Sequence, residues 1–463
     1  MLSNLHFSIS ERRFFLRLFD VLFVILFQIF LIESELFDYK YFNIINENFY
    51  YWIATFVIYL LFFSEVFEMY NLKAQNDNYL VTRGVLLTSI FTTSFYILTP
   101  ILSPSLPENR IQIIYLFFSV LSALLIWRFS YRFLIVSPRF QRRILLIGST
   151  KSNLKTSKLI EVDGVDSIIL GQFSFEKSKN QSDIKWFDFR KKNIQELIQE
   201  LNISEVIVSN YDNESFEKII DPQLAKVLLS GVRVTSFESF YEKLSLKIPM
   251  ERFDSTFYNY ISYNETKKDG LYEAFVRTID VFAGILGLSF LACIIPFVTI
   301  INFFTNRGSL FYYQERIGKK GKPFRILKLR SMVTNAEKDG AVWASKNDTR
   351  ITKFGKILRK TRLDEIPQFY NVLIGDMSLI GPRPERPQFV DELEKDLPFY
   401  ALRHMIKPGL TGWSQVLFPY ASTYEQQKIK LRYDLYYIRE RSILMDFKII
   451  IKTISTVVFM RGN

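Results

Sequence analysis

The sequence predicts three parts joined in one chain: a membrane α-helical region with four N-terminal spans, an α/β middle domain, and a C-terminal α/β domain with a re-entrant membrane helix. Three observations predict them. Four apolar runs, each near the ~20 residues that cross a bilayer, precede residue 140. Short apolar strands then alternate with polar helices over 141–250. A fifth apolar run, Val281–Phe304, leads into a basic block with sixteen Lys/Arg against four Asp/Glu from Arg307 to Arg362. The expected boundaries are 1–140, 141–250, a polar linker over 251–270, and 271–463 with the re-entrant segment at 279–304.

At 463 residues the chain is too long for one ordinary domain. Hydrophobic residues make up 49%, with 45 Phe and 25 Tyr, while charged residues remain at 23%, a mixture that suits a protein part in lipid and part in water. A formal charge of +12 fits a nucleic-acid partner, or an anionic membrane surface and phosphate ligands. The apolar runs select the second, with no nucleic acid. Cys293 is the single cysteine, so no intrachain disulfide and no cysteine metal cluster can form, and two histidines, His6 and His404, exclude a His/Cys zinc site.

The four spans are read at Phe14–Ile32, Phe49–Phe67, Val85–Leu102 and Ile111–Val136. Arg12, Arg13 and Arg17 flank the first. The loop after it carries Glu33, Glu35, Asp38 and Glu47 against Lys40 alone, and five arginines surround the end of the fourth. The positive-inside rule therefore places the N-terminus and everything after the fourth span in the cytoplasm. The first span has no small-residue cleavage site and is read as uncleaved. Glu65 and Glu68, near a segment end, are read as interfacial.

In the middle region the expected strands are Ile144–Ile147, Ser167–Leu170, Glu205–Val208 and Val232–Thr235, with helices at Asn193–Leu201 and Pro222–Leu229. Alternation of this kind implies a parallel sheet covered on both faces, a Rossmann-like α/β domain. Its first strand runs into Gly148-Ser149-Thr150-Lys151-Ser152-Asn153. Only the first glycine of a G-x-G-x-x-G dinucleotide fingerprint is present, which disfavours a nicotinamide cofactor and favours a scaffolding or dimerising role.

A fifth crossing would put the basic block outside, against the charge rule. Pro296 lies inside the run and removes a backbone donor. The segment is therefore expected to enter the inner leaflet, break near Ile295-Pro296 and return to the same face. Arg277 and Asp280, three apart, are expected to pair at headgroup level. The apolar tail, Ile443–Met460, reads as an interfacial helix.

Leu363-Asp364-Glu365-Ile366-Pro367-Gln368 sets two carboxylates just before a short helix that Pro367 begins and Gly375 stops. A helix start there favours an ionised Asp364. Upstream, Lys328 and Arg330 share a strand face in Pro323–Met332 as a phosphate clamp or a solvated face. Downstream, prolines rigidify Gly381-Pro382-Arg383-Pro384, and glycines in Lys407-Pro408-Gly409-Leu410-Thr411-Gly412-Trp413 allow close approach to a ligand.

In order, the apolar segment, Gln314-Glu315-Arg316-Ile317-Gly318, Lys328-Leu329-Arg330-Ser331-Met332, the Asp364-Glu365 block, Asn371–Ser378, Gly381–Pro384 and Lys407–Trp413 resemble the bacterial sugar transferases, the monotopic phosphoglycosyl transferases, from about Tyr272 onward. The four spans and middle domain match the large form of that family, the undecaprenyl-phosphate glucose/galactose phosphotransferase-like enzymes. The resemblance implies an α/β monotopic phosphoglycosyl transferase domain in the bacterial inner membrane, with middle and catalytic domains cytoplasmic. It implies a UDP-sugar donor, an undecaprenyl phosphate acceptor, Mg²⁺ as cofactor and a homodimer, in the first membrane step of exopolysaccharide, capsule or O-antigen synthesis. Asp364 would be the nucleophile beside Glu365, with Lys328, Arg330 and Arg383 on the phosphoryl group. Glu365, Asp364 and Asp376 would hold the metal. His404 matches a family position as a substrate contact or a packed histidine. Ile295-Pro296 stands where Ser-Pro is common, and Ser414 where Ala is frequent. Two rival readings are a membrane-tethered nucleotide-sugar dehydratase or epimerase, and a non-catalytic scaffold for polysaccharide assembly.

Overall fold

A computed structural model describes residues 9–33, 48–72, 75, 77–100, 102–104, 109–135, 141–164, 167–174, 184–188, 192–209, 214–249, 270–306, 308–334, 336, 348–397, 399–418 and 423–459. The expected linker over 251–269 and the acidic loop over 34–47 lie outside them. The chain divides into two compact units, Met1–Ser245 and Leu246–Asn463.

The first unit opens with four apolar helices, α1 (Ile9–Glu33), α2 (Phe49–Val66), α3 (Asn78–Ile97) and α4 (Ile111–Ile135), each long and apolar enough to cross a membrane. Helix α3 starts seven residues before the apolar run because the Asp77 side chain caps it, accepting from Tyr79 and Leu80 N–H. Asp20 of α1 and Arg128 of α4 form a fully buried ion pair, and Arg128 also lies over the Tyr70 ring. Glu65, read as interfacial, accepts from Arg17 at 2.8 Å in a partly exposed pair.

Five parallel strands follow, β1 (Arg142–Ile147), β2 (Ser167–Ser174), β3 (Lys185–Asp188), β4 (Glu205–Val208) and β5 (Arg233–Ser236), in the order β3-β2-β1-β4-β5. Side chains alternate across a strand, and β1 uses both faces. Ile144 and Leu146 pack with α5 (Thr150–Asp163) and α8 (Phe237–Ser245), while Leu145 and Ile147 pack with α6 (Ile194–Leu201) and α7 (Glu214–Leu229). Strand β3 was not legible because four residues of Lys-Trp-Phe-Asp carry no apolar run. Helix α7 begins eight residues before Pro222, which sits inside it. At the end of β1, Gly148 adopts φ +152°, and a Cβ there would lie 2.0 Å from Ser209 Oγ. Asn153 donates to the Gly148 carbonyl at 3.3 Å and accepts from Ser209 at 3.1 Å. Where the fingerprint wants a third glycine, a side chain instead stitches the loop to β4.

The second unit begins with α9 (Gly270–Thr305), 36 residues that run through Pro296 as one helix. The expected break at Ile295-Pro296 is therefore not a break in the helix. Buried positions recur at Asp280, Gly284, Gly287, Leu291, Val298 and Asn302, a stripe of helical period that holds the turns on both sides of the proline. Phe282, Ile285, Leu286, Phe290, Phe297 and Ile300 are exposed.

A hairpin of β6 (Phe311–Ile317) and β7 (Pro323–Leu329) comes next, then α10 (Lys353–Lys360), a 3₁₀ turn at Leu363–Gln368, α11 (Phe369–Ile374) and β8 (Ser378–Ile380). Helix α12 (Pro387–Asp396), a 3₁₀ turn at Tyr400–Met405, β9 (Gly409–Thr411), α13 (Trp413–Leu417), α14 (Tyr424–Glu440) and α15 (Ile443–Val458) complete it. Its main core joins α12, α14 and α15 around Tyr400 and Trp413. Helix α15 buries Met445, Ile449 and Ile451 and exposes Ile443, Leu444 and Phe447.

Candidate active site

Asn371 fixes the relation of α11 to the hairpin. Its Oδ1 accepts from Leu327 N–H at 3.1 Å and its Nδ2 donates to the Arg325 carbonyl at 2.8 Å. A side chain thereby continues the β7 ladder and sets the preceding 3₁₀ turn beside Lys328. Asn371→Ala would orphan two backbone groups. We expect it to cost about 2 kcal/mol, from two lost bonds and the desolvation left behind, read as a fall of several degrees in the unfolding midpoint in detergent.

Glu365 is the hub of the charges. Its Oε1 accepts from Arg383 at 2.7 Å and from Lys328 at 3.3 Å, and its Oε2 accepts from Arg362 at 3.3 Å. Burial alone would raise its pKa, but Arg383, Lys328 and Arg362 hold it well below the usual carboxylate range. Arg383 is raised in turn, chiefly by Glu365. Burial lowers Lys328 to about 8 against the pull of Glu365.

Asp364 is 8% exposed, and its Oδ1 has no hydrogen-bond partner. Burial and then the charge of Glu365 push its carboxyl up to about 6, opposed by Lys328, Arg359 and Arg362. The expected helix-start stabilisation is corrected here. The turn around Asp364 is 3₁₀, its Ncap is Arg362 in the left-handed region at φ +58°, and no side chain caps it. Gly375 does stop α11, at φ +95°.

Two of the expected cations, Lys328 and Arg383, reach the dyad. Arg330 does not: β7 ends at Leu329, and the Arg330 guanidinium donates to the Asn306 carbonyl at 2.9 Å, tying the end of α9 to the hairpin. Arg362 and Arg359 stand in its place. Sequence reading passed them over as members of a sixteen-cation block. Arg359 also donates to Ser331 Oγ at 2.9 Å.

Arg383 is braced from behind. Arg403 donates to its carbonyl at 2.9 Å and is itself paired with buried Asp434 at 2.8 Å. Arg316 donates to the Pro384 carbonyl at 3.0 Å. The glycines expected to approach a ligand serve backbone contact instead. A Cβ on Gly409 would lie 2.0 Å from Gly381 N, and one on Gly412 would lie 2.1 Å from the Gly381 carbonyl oxygen. His404 lines a small cleft with Arg383 and Gly318. Burial, then Arg403, lower it to about 3, so it is neutral near pH 7.

Arg277 and Asp280 are not each other's hydrogen-bond partners. Arg277 donates to the Val372 and Leu373 carbonyls at 2.8 and 2.6 Å, at the C-terminal end of α11 where a cation is favoured. Asp280 accepts from Leu379 N–H at 2.7 Å and Ser378 Oγ at 3.0 Å. Gly284 and Gly287 let α9 close on Leu373 and Phe369, where a Cβ would come within 3.0 and 2.2 Å. Helix α9 thus seats the helix that follows the dyad.

Among the described residues no three His, Cys, Asp or Glu side chains gather to hold a metal. Asp376 is exposed just beyond the C-terminal end of α11, at the other end of that helix from the dyad. Both Glu365 oxygens are engaged by cations. The buried unpartnered Asp364 Oδ1 fits a divalent cation whose other ligands come from substrate phosphates, as Mg²⁺ sites often do.

The family profile described as bacterial sugar transferase matches residues 271–460. A Bacillus subtilis relative, provisionally named an undecaprenyl-phosphate N-acetylgalactosaminyl 1-phosphate transferase, is 45% identical over 142 residues, 31% of this chain and 79% of its own length. The chain belongs to the bacterial sugar transferase family.

Other bacterial sugar transferases extend the likeness. An Aeromonas hydrophila UDP-N-acetylgalactosamine-undecaprenyl-phosphate N-acetylgalactosaminephosphotransferase is 41% identical over 234 residues, 50% of this chain and 54% of that protein. A Klebsiella pneumoniae UDP-glucose:undecaprenyl-phosphate glucose-1-phosphate transferase is 39% identical over 188 residues, 40% of each chain. The match thus spans about half or less of the length of each of these two relatives.

Proposed function

We propose that the protein transfers a sugar-1-phosphate from a UDP-sugar to undecaprenyl phosphate, releasing UMP, through a covalent intermediate on Asp364. The observation that carries this reading is an unpartnered, buried carboxylate oxygen set beside Lys328, Arg359, Arg362 and Arg383. An Asp364 oxygen attacks the sugar-bearing β-phosphorus, and the bond to the α-phosphate oxygen breaks as UMP leaves. An oxygen of the lipid phosphate then attacks the same phosphorus and the aspartyl–phosphorus bond breaks, restoring the carboxylate. Lys328, Arg362 and Arg383 are positioned to offset charge on the transferred group. Glu365 holds those three in place before substrate arrives. A Mg²⁺ on Asp364 and the substrate phosphates would add to that neutralisation.

The names of the relatives support the donor and acceptor classes, although both glucose and N-acetylgalactosamine occur among them. UMP release across a panel of UDP-sugars, with and without undecaprenyl phosphate, tests the reading. Release with at least one donor is expected. No release with any of them would refute it. A dehydratase or epimerase would instead consume a UDP-sugar without releasing UMP.

The pH dependence follows from two groups. Below about 6 the Asp364 carboxyl is protonated and loses its nucleophilic form. Above about 8 the Lys328 ammonium gives up its proton and one cation leaves the array. We therefore expect kcat/KM to be bell-shaped, falling about tenfold per unit below the acid limb. A flat profile from pH 5 to 9 would contradict the assignment.

The topology is part of the proposal. From Asp280 to Asn302 is about 33 Å of helix at ~1.5 Å per residue, as long as the hydrocarbon core is thick. Asp280 bonds Leu379 near one end, and Val298 packs with Leu329 and Phe354 near the other, all within one folded unit. A helix crossing the bilayer could not keep both contacts on one side. We read α9 as lying in the inner leaflet with its Phe-rich face in lipid, a re-entrant rather than a crossing segment, and α1–α4 as the four spans. The strand order supports a degenerate Rossmann-like scaffold, and the positive-inside rule favours the cytoplasmic side for it. An impermeant thiol reagent should label Lys356→Cys in spheroplasts only after permeabilisation; labelling of intact spheroplasts would sink this orientation.

A further inference from the structure

At the far end of α11 from the dyad the second unit contains a cleft of about 230 Å³ that the transfer chemistry does not use. At ~30 Å³ per water it has room for a tetrahedral anion and its hydration. Four cations line it: Arg277, Lys319, Lys407 and Arg441. Two carboxylates face them, and both are engaged: Asp280 by Leu379 and Ser378, and Glu273 by Arg441 at 3.3 Å. Arg277 spends its hydrogen bonds on neutral carbonyls, so none of them goes to a carboxylate. The Lys407 ammonium and the Arg277 guanidinium crowd one point. A Cβ on Gly375 would lie 3.3 Å from Lys407 Nζ and 3.5 Å from Arg277 Nη1. Like charges drawn together in a partly desolvated cleft are stabilised by an anion between them.

The surroundings say what carries that anion. The cleft is built on the first turns of α9 and the end of α14, and both α9 and the following α15 turn apolar side chains outward within a few residues of it. Phe275 and Phe282 on α9 are exposed, as are Ile443, Leu444 and Phe447 on α15. A soluble phosphate would gain nothing from such a rim, whereas a lipid places its phosphate at the headgroup level and its chains below. We propose that this cleft binds a lipid-borne phosphate at the membrane surface. The site is separate from the dyad: Glu365 precedes α11 and Gly375 ends it, with six residues of helix between, about 9 Å.

The test uses the full chain in nanodiscs of phosphatidylcholine doped with either phosphatidylglycerol or undecaprenyl phosphate. Lipid retained after release is counted by native mass spectrometry. The variant Lys319→Gln/Lys407→Gln should retain the doped anionic lipid about tenfold less than the unaltered chain. The control Lys356→Gln/Lys360→Gln, with the same net charge change on exposed α10 positions, should retain it fully. Preference for undecaprenyl phosphate would name the acceptor as the source. Equal retention of both lipids would name the bulk leaflet. Equal retention by the Lys319/Lys407 variant and the unaltered chain would overturn the proposal. So would an equal loss in the control, or displacement of either lipid by millimolar inorganic phosphate. Binding is read without turnover, so its failure would leave the transfer reaction standing, and a failed transfer assay would leave this site standing.

Discussion

Asp364→Asn is expected to abolish UMP release, lowering the rate by on the order of 10⁴ or more while the fold persists. An amide keeps the shape of the carboxyl but has no anionic oxygen to attack phosphorus. Its neighbours should tolerate the change, because the Asp364 Oδ1 makes no hydrogen bond and the ion pairs of the site run to Glu365. Loss of a nucleophile should therefore separate from loss of structure. The measurement is UMP release alongside the unfolding midpoint in detergent, with the midpoint moving by no more than a degree or two. A non-catalytic scaffold would instead keep its biological role in this variant.

Arg383→Ala should lower kcat/KM by about 10² to 10³, the cost of removing one preorganised donor to developing charge. Its guanidinium is about one-third exposed, against 12% for the Glu365 carboxylate it touches, so it faces the side from which substrate enters. Glu365 would keep Lys328 and Arg362, which limits the structural damage. Arg383→Lys keeps the charge but not the planar fork, and should recover only part of the loss. Steady-state kinetics with donor and acceptor varied separately distinguish a donor contact from an acceptor contact. An unchanged kcat/KM for both would remove Arg383 from the site.

The legible parts of the site were those written as contiguous motifs. Asp364-Glu365, Lys328 and Arg383 each sit where a local pattern of charge, proline or strand alternation announces them. What escaped was set by turns and by partners distant in sequence. Arg362 reaches Glu365 because it takes a left-handed conformation at the entry to a 3₁₀ turn, which composition does not reveal within a run of lysines and arginines. Arg330 was misplaced because the two-residue period of β7 stops one residue short of it. Arg277 and Asp280 satisfied the helical spacing for a pair, but the carbonyl end of α11 and the N–H of Leu379 supplied better partners. Asn371 stood out only as the first residue of a family motif and its role was not legible, since a polar residue in a short helix reads as surface until the bare edge of β7 is seen against it.

The same division holds for the fold. Among the described residues, apolar runs located five helices long and apolar enough to cross a membrane, and alternation located four of five parallel strands. The end of α9 was legible, within one residue of the expected 304, but its start at Gly270 and its course were not. Pro296 suggested a break, whereas the stripe from Asp280 to Asn302 keeps the helix whole along the folded unit.

The most direct measurement is the intact mass of the protein after seconds of exposure to a donor sugar nucleotide without lipid acceptor, followed by acid quench and peptide mapping. An added hexose phosphate, or its N-acetylated equivalent, on the peptide containing Asp364, discharged when undecaprenyl phosphate is supplied, is the expected result. Turnover with acceptor but no adduct at any time without it would contradict the covalent account and favour direct attack by the lipid phosphate.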